Sequence, residues 1–219
     1  MYNNDTWLDK LERKIGRFSI KNLMTVIVAG MGLVFIFDLF LYPIMGYTLS
    51  SLLCFDRQAI FHGQVWRLFT FILIPPDSNP FFILFSLYFY WLIGSALEKE
   101  WGSFRFNVYY LCGIIGTIIS GMIMGYATNS YLNLSLFLGF AIMYPDHEVL
   151  LFFFIPIKMK YLAIVDAACL TLMFIFDKWP GRVALLAALI NIVIFFWRDF
   201  VTAIKNAKRL YEYKKNFRQ

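Results

Sequence analysis

The chain has 219 residues, of which 60% are hydrophobic, 20% aromatic and only 16% charged. A soluble domain carries about 25% charged residues, so the composition excludes an ordinary soluble enzyme and points to an integral membrane protein of a size that suits one compact bundle. The net charge of +6 does not indicate a nucleic-acid partner. Lys and Arg cluster at the two ends of the chain and flank apolar spans, where positive charge orients spans and contacts lipid headgroups.

The first twenty residues are strongly charged and the first apolar run is long enough to remain as an anchor, so no cleavable leader is expected. Within them, Trp7, Leu8, Leu11, Ile15 and Phe18 recur at helical spacing opposite Asp9, Lys10, Glu12, Arg13, Lys14 and Arg17. That pattern predicts an amphipathic helix lying in the membrane interface, and residues 1–20 are taken as a cytoplasmic interfacial element. A first span is expected from Leu23 to Tyr42, about 20 residues, the length that crosses a bilayer core. Asp38 falls near its outer end, within reach of water. The segment from Pro43 to Pro80 holds an apolar run, Val65 to Ile74, of about 10 residues, too short to cross. A loop dipping into one leaflet is expected there. Backbone facing lipid must be satisfied internally, so this loop must be helical in parts or packed on the bundle.

Further spans are expected over Phe81 to Leu97, Phe106 to Tyr126, Tyr131 to Tyr144, Tyr161 to Phe176 and Val183 to Trp197, making a membrane domain of residues 21–197. In the third, Gly113, Thr117, Gly121 and Gly125 recur every four positions, a small-residue stripe that lets helices approach closely in lipid. The fourth is short, about 14 residues, and opens on the polar residues Thr128, Asn129, Ser130, Asn133 and Ser135, which implies a water-accessible depression at that end. The apolar run between Tyr144 and Lys160 is again too short to span. Residues 198–219 form a basic tail, expected to be a cytoplasmic helix. With six spans, Arg57, Arg67, Lys178 and Arg182 lie outside and the other 16 of the 20 Lys and Arg lie inside, which predicts both termini in the cytoplasm. A bacterial plasma membrane is the expected location. Cys54, Cys112 and Cys169 are isolated and read as core filling.

Two stretches carry a family resemblance. GQVWRLFTF (Gly63 to Phe71) places Trp66 and Arg67 ahead of an apolar span, and LEKEWGSFRF (Leu97 to Phe106) places Glu98, Trp101, Gly102 and Arg105 after it. These elements, in this order, resemble the rhomboid superfamily, which includes intramembrane serine proteases and inactive relatives such as the Derlins. The resemblance implies an all-α integral membrane fold, a bundle of six transmembrane helices with a membrane-dipping first loop. It gives Trp66, Arg67, Glu98, Trp101, Gly102 and Arg105 architectural roles.

The resemblance also implies where catalysis would reside: a serine flanked by glycines at the start of the fourth span, a histidine base in the sixth, and an Asn and a His in the second that stabilise the oxyanion. Ser130 lies nearest the serine position, but Asn129 and Tyr131 flank it; Ser135 is a weaker candidate. A serine at a span mouth usually caps its helix or bonds its own backbone. The base position falls on Ala188, or on Leu185 if the register slips, and neither takes a proton. The oxyanion positions fall on Ser86 and Phe82. The two histidines, His62 and His147, lie outside the spans. General-base help is worth about 10²–10⁴-fold, so a catalytically silent protein is expected, a pseudoprotease that binds transmembrane segments of client proteins within the lipid bilayer. The alternatives are an active intramembrane serine protease using Ser130 with an unconventional base, and a small transporter or channel using Asp166. A carboxylate within a span is costly unless paired or wet. Lys160, Asn133 and Asn191 are its candidate partners, and Ser86, Asn133, Asp166 and Asn191 form the expected polar cluster inside the membrane. No metal spacing is present among His62, His147, Asp146 and Glu148, and no cofactor is expected.

Overall fold

A computed structural model describes residues 7–76, 79–151, 155–176, 182, 185–186, 189–195 and 209. The amphipathic N-terminal stretch forms α1 (Trp7–Ile15) and continues as a 3-10 turn (Gly16–Phe18). Asn22, in a left-handed conformation, leads into α2 (Leu23–Met45), which runs through Pro43 and stops at Gly46. The expected loop follows, built from α3 (Leu49–Leu53), α4 (Arg57–Phe61), α5 (Arg67–Thr70) and a second 3-10 turn (Phe71–Leu73). Next come α6 (Pro80–Trp101) and α7 (Ser103–Met124). Asn79 starts α6 by accepting from the Phe81 N–H, with Pro80 at the first helical position, where its missing N–H costs nothing. Gly102 alone separates α6 from α7 with φ +82°, a region that residues with a Cβ avoid, so the chain reverses within one residue.

The short apolar helix α8 (Ser130–Met143) precedes α9 (Met159–Phe176). Among the described residues, four helices are long and apolar enough to cross a membrane, α2, α6, α7 and α9. The six-helix count is thus not reached among the described residues. The expected sixth span is described only in part; within it, residues 185–186 and 189–195 are helical. Phe195 meets Tyr109 of α7 edge-on, 5.1 Å between centroids. The tail 198–219 is likewise outside the described residues, Arg209 excepted. The segment between α8 and α9, expected only as a run too short to cross, is a hairpin of β1 (Glu148–Leu151) and β2 (Ile155–Lys158), with Glu148 opposite Lys158. A two-residue ladder also joins the loop to the end of α7, pairing Phe55 with Ala127 and Asp56 with Tyr126.

The loop answers the backbone problem from within. Arg67 Nη1 donates to the carbonyls of Ser51 (2.9 Å) and Cys54 (2.8 Å), and its Nε donates to Gln64 Oε1 (2.7 Å). Thr70 Oγ1 donates to Leu53 O, and the Trp66 indole N–H to Leu52 O. Asn129, at the mouth of α8, donates to Ile72 O and Ile74 O. The family resemblance gives Trp66 and Arg67 architectural roles. Trp66 is half exposed, but Arg67 is only 7% exposed and holds the loop to itself.

The small-residue stripe of α7 makes close approaches. Leu132 of α8 packs on Gly113, and Phe55 and Ala127 pack on Gly121; a Cβ on Gly121 would stand 2.7 Å from the Ala127 Cβ and 2.8 Å from the Phe55 ring. Gly121→Leu is therefore expected to destabilise the fold by about 1–3 kcal/mol, the usual cost of overpacking, read as a lower midpoint of detergent-induced unfolding. Gly32→Ala in α2, whose new methyl would meet Leu87 at 3.8 Å, is expected to leave the midpoint unchanged. Equal shifts in the two variants would contradict the close packing.

Candidate functional site: a polar groove beside α8

Ser130 and Asn133 stand one turn apart on α8, Ser86 sits in the N-terminal half of α6, and Asp166 lies in the second turn of α9. All four line one groove of about 400 Å³ between these helices, walled by Phe85, Phe89, Phe137 and Val165. A second space of about 320 Å³ lies toward α7 and carries Thr117, Ser120 and Thr128. Ser130, Leu134, Asp166 and Cys169 border both, so the two meet along the α8–α9 contact.

The polar groups in this groove are not spent on one another. Asn133 is 2% exposed, and both its amide oxygen and amide nitrogen lack a hydrogen-bond partner. The hydroxyl of Tyr90 lies within electrostatic reach of Asn133 without meeting hydrogen-bond geometry. One carboxylate oxygen of Asp166 is buried and also without a partner. An unsatisfied polar group away from water costs several kcal/mol. The groove therefore presents a donor and two acceptors on an otherwise apolar, aromatic wall.

The same geometry bears on bond-breaking chemistry. Ser130 is exposed, and its hydroxyl has no partner among the described residues. His62 Nδ1 lies 2.7 Å from Gln58 O within its own loop. His147 packs on the rings of Phe140 and Tyr144 at the far end of α8, and a 14-residue helix is about 21 Å long. Ser135 is 1% exposed and donates to Leu132 O (2.7 Å), a local backbone bond. Leu185 is buried, and Ala188 lies outside the described residues. Among the described residues no three of His, Cys, Asp or Glu come together as a metal site.

The structure separates one member of the expected cluster. Asn191 faces α7, donating to Tyr109 O (3.3 Å) and packing against Gly113, not against Asp166. Lys160 is also no partner of Asp166, for its Nζ donates to Asp146 (2.7 Å). That bond and its charge hold the exposed Asp146 carboxyl below the usual carboxylate range. The architectural residues hold the opposite end of the bundle. Glu98 is 7% exposed and accepts from the Asn22 N–H (2.7 Å) and the Ser103 hydroxyl (2.8 Å). Trp101 stacks edge-on against Tyr109, and Arg105 reaches Glu12 at 3.9 Å. Sequence reasoning missed Tyr90 as part of the groove and Asn129 as the clamp between α8 and the loop. An Asn directly before an apolar helix was the available signal for the second.

Four long apolar helices, a fifth short one and a loop that satisfies its own backbone define a multi-pass integral membrane protein. A family model described as eukaryotic integral membrane protein (DUF1751) matches residues 21–197, and the chain belongs to that family. No curated protein matches the chain. The family is eukaryotic by its description, so a bacterial plasma membrane finds no support.

Proposed function

We propose that this is a rhomboid-like bundle of six spans that does not cleave peptide bonds and instead holds transmembrane segments of other membrane proteins in the groove between α6, α8 and α9. The observation that carries the reading is the pair of unpartnered polar side chains, Asn133 and Asp166, in an apolar groove beside a serine that neither histidine joins among the described residues. A client helix bearing a polar residue would find there the hydrogen bonds that lipid cannot supply. The short α8 would thin the bilayer locally and favour such entry. The termini are proposed to share the cytoplasmic side, on the charge distribution of the chain. The likeness to rhomboids is an analogy of fold and motif, and the groove supplies the chemistry.

A photo-cross-linker placed at Val165, which lines the groove and is 62% exposed, is expected to capture a co-expressed transmembrane helix carrying a central Asn. Asp166→Leu is expected to lower capture about fivefold, the equivalent of one intramembrane hydrogen bond of about 1 kcal/mol. Cleavage of that helix, or fluorophosphonate labelling that disappears in Ser130→Ala, would instead identify a protease.

A further inference from the structure

Away from the polar groove, a second concavity of about 500 Å³ runs between the N-terminal segment, α2, α7 and the loop. Its walls are almost wholly apolar. It begins at Ile15 and Phe18, follows Val108 and Leu111 along α7, and ends against Phe69 and Leu73 of the loop. The stretch of α7 that lines it, Phe104 to Ile114, is about 15 Å long, half of a hydrocarbon core of about 30 Å. The groove therefore runs from the N-terminal segment to the loop over about half the length of a crossing.

Its mouth is basic. Lys14, Arg17 and Lys21 are exposed and adjoin the lining residues Ile15, Phe18 and Ile20 in sequence. The Arg17 guanidinium lies 5.1 Å from the centre of the Phe18 ring, which fixes one cation at the lip. The acids nearby are engaged, Glu12 with Arg105 and Glu98 with Asn22 and Ser103. Asn107 pins the N-terminal segment to α7 by donating to Ile20 O (3.0 Å) and lines the groove beside it.

We infer that this groove is a binding site for one anionic phospholipid of the leaflet that holds α1: an acyl chain lies against Val108 and Leu111, and the phosphate meets Lys14, Arg17 and Lys21. Cations near a membrane surface attract anionic lipid by a modest amount each, and three at one lip give selectivity that annular lipid lacks. The inference rests on a different face from the client groove and stands or falls separately.

The full chain, purified in mild detergent with equal amounts of dioleoyl phosphatidylserine and dioleoyl phosphatidylcholine, is examined by native mass spectrometry. The wild type is expected to retain one phosphatidylserine with about tenfold preference. Lys14→Ala/Arg17→Ala/Lys21→Ala is expected to lose the preference while still retaining phosphatidylcholine. Leu111→Trp, at an exposed groove position, is expected to lose retention of both. Equal retention of the two lipids by the wild type, or retention of neither, overturns the site. A preference that survives Leu111→Trp overturns it too, because it would reflect surface charge without a groove.

Discussion

Arg67→Ala is expected to loosen the loop internally, parting its α3 end from its α5 end, at a cost of about 3–5 kcal/mol. Arg67 is buried and, among the described residues, pairs with no carboxylate; its charge is held by the Ser51 and Cys54 carbonyls and the Gln64 amide oxygen. Each acceptor left unsatisfied in a buried setting costs about 1–3 kcal/mol, and in lipid there is no water to take the place of the guanidinium. The Leu53 carbonyl, bonded by Thr70, and the Leu52 carbonyl, bonded by Trp66, sit between the two that Arg67 holds or just beside them. Loss of the one side chain therefore loosens the α3 end of the loop as a unit. Arg67→Lys keeps a charge but not the planar fork that serves carbonyls and Gln64 at once, so an intermediate loss of about 1–2 kcal/mol is expected. Limited proteolysis between Gly46 and Trp66 checks this, with far-ultraviolet circular dichroism confirming that the spans persist. Equal cleavage rates for Arg67→Ala and wild type would show that the loop is held by its apolar residues alone.

How far residue patterns carried the reading follows from what each kind of signal measures. Apolar runs of bilayer length announced α2, α6, α7 and α9 because lipid imposes one length and one chemistry on all crossings. Their ends were less legible. Glu98 to Trp101 extend α6 beyond the expected stop at Leu97, because a charge read as the edge of the membrane is in fact a buried acceptor. The hairpin of β1 and β2 was not foreseen, since a short apolar run between charged residues does not distinguish strand from irregular chain. Ser86, Asn133 and Asp166 were named as one cluster and do share a groove. Which groups pair is a property of distance, and here charge was misleading: Lys160 turns to the nearer Asp146 and Asn191 to a backbone carbonyl. Asp166 and Asn133 keep unmet hydrogen-bonding capacity that no pattern in the chain could have revealed.

Glu98→Ala is expected to cost about 3–4 kcal/mol and to separate the N-terminal segment from the α6–α7 turn. One carboxylate oxygen accepts both the Asn22 N–H and the Ser103 hydroxyl, across 76 residues in one direction and five in the other. Asn22 stands at the start of α2 with φ 55° and makes no side-chain cap of its own. Glu98 thus supplies from α6 the acceptor that the first turn of α2 lacks, and its negative charge faces the positive end of that helix dipole. Charge-assisted bonds of this kind are worth about 1.5–3 kcal/mol each, and truncation leaves two part-buried donors without their acceptor. Glu98→Gln keeps an oxygen in place and removes only the charge, so about 1–2 kcal/mol is expected. Ser103→Ala removes one of the two donors and is expected to cost about 1 kcal/mol. The midpoint of unfolding in mixed detergent micelles orders the three variants, Glu98→Ala lowest. Because Glu98 and Ser103 share a bond, Glu98→Ala/Ser103→Ala is expected to be no less stable than Glu98→Ala alone. Strict additivity in that double variant would mean that the two side chains act independently and that the turn is not held through the carboxylate.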